Sequence, residues 1–240
     1  MASTAGDTLW TKDGEDKRKS VLRMFADIAP TYDLINSVMS FRLHYRWRSI
    51  AVRTLALRPG DSALDVCSGT GCFLAPLGKA VGTQGKLVGI DFCAPMLEIA
   101  AKRYRDHAAL AVGDACQLPV PSNQFDGVSV GWGLRNVASL EKALGEIVRV
   151  LKPGGKFVCL DMSRPKGALG WLSERVFHTV VPLIGAVFGK AKAYKYLPKS
   201  TERFVTPDAL SEHMLAAGMS DVSYRTMFFG NVCMHTGTKR

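Results

Sequence analysis

The chain has 240 residues, 47% hydrophobic and 22% charged, with a net charge of +10. This length suits one α/β domain with a full core, and the ordinary composition excludes fibrous or low-complexity classes. Six cysteines stand without a C-x-x-C pair and five histidines do not cluster, so neither a disulfide framework nor a metal site is expected; the cysteines read as small core residues of a reducing compartment.

Residues 1–17 read as a disordered tail and 18–240 as a single domain. The first 20 residues are polar and hold four acids, which argues against a secretory signal or an intact transit peptide. A helix is expected over 20–29, ended by Pro30, and a second over 36–57, closed by Pro59-Gly60. Strands are expected at 62–67, 86–91, 109–113, 125–130 and 155–161, alternating with helices at 73–81, 95–106 and 139–151. Lys152-Pro153-Gly154-Gly155 reads as a turn. This alternation predicts a doubly wound, mostly parallel, Rossmann-like sheet.

The segment 166–205 breaks the pattern with aromatic and basic residues, and reads as a helical lid. Within it 176–189 carries no Asp, Glu, Lys or Arg. It falls short of the roughly 20 residues a membrane span needs, so a buried or interfacial helix is expected. A helix over 206–217, with Thr206 as cap and Pro207 following, stops at Gly218. Strands at 222–228 and 232–236, joined at Gly230-Asn231, make a terminal antiparallel hairpin.

The first strand ends in Leu64-Asp65-Val66-Cys67-Ser68-Gly69-Thr70-Gly71, and Asp91 closes the next strand 20 residues after Gly71. A strand, a glycine turn, a helix and a strand-end carboxylate make a nucleoside-binding unit, an architecture shared by NAD and S-adenosylmethionine sites. A dinucleotide fingerprint would need a small residue where Leu74 stands. The pattern is instead acid-x-x-x-Gly-x-Gly, with Asp65, Gly69, Thr70 and Gly71, and resembles the first motif of class I methyltransferases.

Other strand ends carry further candidates. Asp91 suits the two ribose hydroxyls, with a helix cap as its plainer role. Asp114 and the Ala115 N–H suit an adenine edge, against an ordinary turn aspartate. Gly131 and Gly133 bring backbone close to a ligand after the fourth strand, and Arg135 and Asn136 follow as donors. Arg135 has a plainer reading as an ion pair. Tyr32 and Asp33 open an N-terminal helical cover, where His44 and Trp47, three apart, share a face as core or site.

Four separated motifs carry a family resemblance over residues 20–236. Tyr32-Asp33-Leu34-Ile35-Asn36-Ser37 with Ser40, His44 and Trp47 is the first, and Gly133-Leu134-Arg135-Asn136-Val137 the second. The third runs from Arg149-Val150-Leu151-Lys152-Pro153-Gly154-Gly155 to Asp161-Met162-Ser163-Arg164-Pro165, and the fourth is Tyr194-Lys195-Tyr196-Leu197-Pro198-Lys199-Ser200. Together they resemble the ubiquinone/menaquinone biosynthesis C-methyltransferases. Three positions depart from that pattern: Cys72 stands for the usual Asp, Gly131 for a Ser, and Asp161-Met162 for Glu-Phe. The first two predict weaker cofactor contacts.

The resemblance implies S-adenosylmethionine as methyl donor and a prenylated quinol as acceptor. Demethylmenaquinol is preferred over a ubiquinone-precursor benzoquinol or a phytyl naphthoquinol. It further implies that Arg135, helped by Asn136, stabilises a ring oxyanion while Tyr32 and Asp33 position the ring or relay a proton, with His44 as a reserve base. Competing readings are a non-catalytic cofactor-binding subunit of a quinone-synthesis assembly and an NAD-dependent oxidoreductase. Basic residues concentrate at 12–53 and 190–199 without an arginine-rich block or aromatic RNP motif, favouring an anionic membrane surface over nucleic acid as partner. The expected location is cytoplasmic and peripheral to a membrane, or an organelle matrix or stroma after transit-peptide removal; a homodimer is left open.

Overall fold

A computed structural model describes residues 14–165 and 167–240. Most of the expected tail, 1–13, lies outside them; residues 14–17 already belong to a helix, α1 (Gly14–Ile28). Pro30 sits in the 3-10 turn that ends α1. The single helix expected over 36–57 is two, α2 (Tyr32–Met39) and α3 (Leu43–Thr54). Phe41 and Arg42 between them adopt left-handed φ values of 49° and 62°, and the Ser40 hydroxyl donates to the Asn36 carbonyl at 2.6 Å. A serine competing for a helical carbonyl favours a break that leaves no glycine or proline signal.

The core alternates β1 (Ser62–Val66), α4 (Leu74–Val81), β2 (Lys86–Asp91), α5 (Ala94–Tyr104), β3 (Ala109–Val112), β4 (Phe125–Gly131), α6 (Leu140–Val150) and β5 (Leu151–Met162). The lid segment forms α7 (Gly167–Val187) and α8 (Ala191–Arg203). The chain ends with α9 (Pro207–Ala216), β6 (Met219–Met227) and β7 (Val232–Lys239). Thr206 caps α9 by accepting from Ala209 N–H at 3.3 Å. The turn expected at 152–155 lies inside β5 as an irregularity, where the pairing shifts between Phe125↔Leu151 and Gly127↔Lys156.

Seven strands run in the order β3-β2-β1-β4-β5-β7-β6. The first five are mutually parallel, and β7 pairs antiparallel with both β5 and β6. Strand alternation feeds two cores. Leu64, Val66, Val128 and Val130 pack against Leu144 and Ile147 of α6 on one face, while Ala63, Val158 and Leu160 pack against Trp47 and Ala51 of α3 and Leu74 and Leu77 of α4 on the other. A third apolar cluster joins Ile28 and Ile35 of the N-terminal helices to Val181 and Tyr194 of the lid. The strand order reverses between β1 and β4, so their carboxyl ends open the crevice where α/β sheets bind ligands.

Candidate active site

Two cavities meet above this crevice. The first encloses about 670 Å³, its open mouth included, and is lined by Gly69, Asp91, Asp114, Ala115, Gly131, Gly133 and Asn136. The second, about 890 Å³ on the same basis, is lined by Tyr32, Asn36, His44, Trp47, Arg48 and Arg135, with Phe177, Tyr194, Tyr196 and Leu197 from the lid. Phe25, Tyr32 and Trp132 line both, so these three aromatic residues form the partition.

The loops of the first cavity are shaped by backbone that ordinary residues avoid. Cys67 and Trp132, each just past a strand end, hold φ at 56°; such left-handed residues cluster at functional loops. A Cβ on Gly133 would come within 2.5 Å of the Cys67 Cβ, so glycine is what lets the β1 and β4 loops touch. A Cβ on Gly69, with φ 56°, would meet no protein atom within 4 Å and would project into open space instead.

Asp91 carries the polar chemistry there. Its Oδ2 accepts from Gly69 N–H at 2.8 Å and its Oδ1 from Cys93 N–H at 2.8 Å, so it braces both the glycine turn and the start of α5. Each oxygen keeps a lone pair for another donor. Burial pushes its carboxyl up to about 6, against the pull of the Cys93, Gly69 and Phe92 N–H groups. Asp114 accepts from Cys116 N–H at 2.8 Å, and Arg18 of α1 stands 3.8 Å from its other oxygen. One carboxylate for a ribose, a second beside the Ala115 backbone for an adenine edge, and Phe92 and Met96 as apolar lining fit S-adenosylmethionine.

Four expected cofactor or substrate residues lie outside the lining of both cavities. Asp65 is 1% exposed, accepts from the Ser129 hydroxyl at 2.7 Å, and has its carboxyl pushed up to about 7 by burial. Thr70 donates to Asp33 at 2.6 Å, and Asp33 is also ion-paired with Arg103. The Asp33 carboxylate therefore ties α2 to the glycine turn rather than facing the ring as a proton relay. Gly71, at φ 83°, is required by packing, since a Cβ would lie 2.9 Å from the Tyr104 ring. Cys72 lies 3.5 Å from Asp33 and 3.6 Å from Thr70, within the same tie and outside the cofactor lining.

Arg135 is a buried ion pair. Its Nη1 donates to Asp161 at 2.6 Å and to the Trp132 carbonyl at 2.8 Å, and its Nε to Ser200 at 3.4 Å. Asn136 donates to the same Trp132 carbonyl at 3.1 Å and accepts from the Tyr196 hydroxyl at 2.9 Å. The β4 loop, the end of β5 and the lid are thus joined at one point. Asp161, visible in the sequence only as a departure from the family pattern, is the missed partner. Tyr32 is half-buried, and burial of its hydroxyl raises its pKa. His44 is buried and held at about 4 by desolvation and the Arg48 charge. Arg48 itself escaped the sequence reading, although it follows Trp47 directly and lies four residues after His44, on the same helix face.

Two outcomes test this geometry. Affinity for S-adenosylmethionine, measured by calorimetry, should fall as pH drops through about 6, because protonation removes an acceptor from Asp91. The loss is about tenfold between pH 8 and pH 5, and Asp91→Asn flattens the profile. In urea unfolding, Arg135→Met should cost roughly 3–5 kcal/mol by leaving Asp161 buried and unpaired, while the double variant with Asp161→Leu recovers most of that stability.

Comparison with known proteins places the chain in a family. The ubiE/COQ5 methyltransferase family model matches residues 11–239. A demethylmenaquinone methyltransferase of Desulfitobacterium hafniense (strain Y51) is 40% identical, with 94% of this chain and 92% of the relative covered. One from Geobacillus stearothermophilus is also 40% identical, with 94% and 99% covered. Among solved structures, a Thermotoga maritima SAM-dependent methyltransferase, described as a possible histamine N-methyltransferase, superposes with a TM-score of 0.66 at 22% identity, covering 91% of this chain and 99% of its own. Haemonchus contortus phosphoethanolamine N-methyltransferase 2, in complex with S-adenosyl-L-methionine, gives 0.61 at 17% identity, with 81% and 52% covered. The glycine turn, the strand-end carboxylates and the lid thus belong to an S-adenosylmethionine-dependent methyltransferase, and the chain is a member of the ubiE/COQ5 methyltransferase family.

Proposed function

We propose that the protein methylates a ring carbon of a prenylated quinol, converting demethylmenaquinol to menaquinol. The observation that carries this reading is the second cavity, large, mostly apolar and aromatic, and separated from the nucleoside cavity only by Phe25, Tyr32 and Trp132. Relatives at 40% identity named demethylmenaquinone methyltransferase support the choice of ring. S-adenosylmethionine supplies an electrophilic sulfonium methyl. The protein aligns the ring against it, and such positioning contributes about 7–11 kcal/mol to a two-reactant step. Arg135 and Asn136 hold the Trp132 wall, and Tyr32 borders the ring from α2. His44 is unsuited to be the base, since its Nδ1 receives the Arg48 guanidinium.

Peripheral contact with an anionic membrane is part of the same reading. No helix of the described residues is long and apolar enough to cross a membrane. Along α7, however, Leu172, Val176, Val180, Leu183 and Val187 are all exposed at helical spacing, and Phe41, beside the exposed Arg42, is 79% exposed. An apolar stripe on the lid suits a surface from which a lipid acceptor enters, and neighbouring cations suit anionic headgroups.

Labelled S-adenosylmethionine offered with a panel of reduced quinones should yield labelled menaquinol, formed from demethylmenaquinol, as the main product; a methylated benzoquinol in its place would overturn the ring assignment. Binding to anionic vesicles should weaken from low to high salt. Leu183→Glu should reduce that binding while leaving turnover of a short-tailed, detergent-dispersed quinol unchanged.

A further inference from the structure

Arg48 is a buried cation without a buried counter-ion. It is 6% exposed. Its Nη1 donates to His44 Nδ1 and, at 3.2 Å, to the His44 carbonyl, while its Nε has no partner at all. Among the described residues no carboxylate forms an ion pair with it. Asp65 lies within range of its charge but holds a hydrogen bond from Ser129 instead. The guanidinium rests 4.6 Å from the centre of the Trp132 ring and 5.5 Å from that of Phe73. Aromatic faces lower the cost of burying a cation without neutralising it. Arginines in such surroundings are ordinarily paired with an anion.

The second cavity therefore holds two arginines in unequal states. Arg135 shares its charge with Asp161 at 2.6 Å, whereas the charge of Arg48 is open to whatever occupies the cavity it lines. Its contact with the Trp132 ring puts Arg48 at the partition where the two reactants meet. His44 keeps it there: neutral, it accepts the guanidinium at Nδ1, and its Nε2 lies 3.1 Å from the Ser37 hydroxyl.

We propose that Arg48 is a catalytic residue that receives the acceptor's ring oxygen as it ionises, with His44 as its positioning residue. The inference rests on the quinol reading above. The quinol O–H gives its proton to water as the oxygen comes to face Arg48. The oxygen's electron pair moves into the ring, the ring carbon bonds to the methyl, and the S–CH3 bond breaks to leave the neutral thioether. The ring carbon then loses its hydrogen as a proton and the oxygen regains one, so one proton is released overall. An oriented donor aimed at a developing oxyanion is worth about 10²–10³ in kcat.

The test uses 1-naphthol, whose absorption reports ionisation, titrated with pH on the protein in the presence of S-adenosylhomocysteine. The parent should raise the bound naphthol's acid dissociation constant about 10- to 1000-fold. Arg48→Met, which orphans no carboxylate, should abolish that shift, lower kcat about 10²–10³-fold, and leave S-adenosylmethionine affinity unchanged; Arg48→Lys should restore part of both. If the Met variant does not fold, Arg48→Gln is read the same way. A neutral variant that ionises naphthol as the parent does, or turns over within threefold of it, overturns the proposal. Failure of the parent to methylate any quinol would overturn the quinol reading instead, and the naphthol titration would still judge Arg48 as an oxyanion site.

Discussion

The buried pair of Arg135 and Asp161 is the constraint on which the site depends. Charges in a low-dielectric interior cost least when their hydrogen-bonding capacity is met. Asp161 meets it with the Arg135 guanidinium at 2.6 Å, Met162 N–H at 2.8 Å and Arg135 N–H at 3.3 Å. That geometry locks the end of β5 to the loop after β4. The same guanidinium grips the Trp132 carbonyl and Ser200 of the lid. Trp132 is thereby set as a wall between two cavities, and its indole becomes the seat of Arg48. Arg135 is paired with a carboxylate in this arrangement, whereas Arg48 has none among the described residues.

The two cavities differ as their occupants require. The nucleoside side is built from backbone and carboxylates, because hydroxyls and a purine edge are read by directed hydrogen bonds. The other side is built mostly from aromatic and aliphatic side chains of α1, α2, α3, α7 and α8, with Arg48 and Arg135 among them, as a prenylated ring offers apolar surface apart from its ring oxygens. The lid serves both ends of this scheme. Tyr196 and Ser200 dock on Asn136 and Arg135, while the outer face of α7 leaves its valines and leucines in solvent.

The alternating core was legible because apolar period and glycine turns agree there: β2 has its expected bounds, and β1, β3 and β4 differ by a residue at one end. The break at 40–42 was not, since left-handed Phe41 and Arg42 carry no turn signature. Among site residues, Asp91, Asp114, Ala115 and Gly131 were readable because strand ends converge on one rim. Spacing could not separate ligand contacts from the ties beneath them. Asp33, Thr70 and Gly71 fix the turn to its neighbours, and Asp65 is buried in the sheet. Arg48 was hidden for a related reason: whether an arginine is paired is a property of three-dimensional surroundings. The four sequence motifs that looked separate are one object in space, since Trp47, Arg135, Met162 and Tyr194 line a single cavity.

On the proposed reading, the methyl passes directly across the Tyr32–Trp132 partition from one cavity to the other, with no protein atom as carrier. S-adenosylmethionine bearing a chiral methyl group, labelled with all three hydrogen isotopes, tests this most directly. A single in-line displacement predicts a methylated quinol of inverted methyl configuration. Net retention would require two displacements through a protein nucleophile, and would rule out direct transfer.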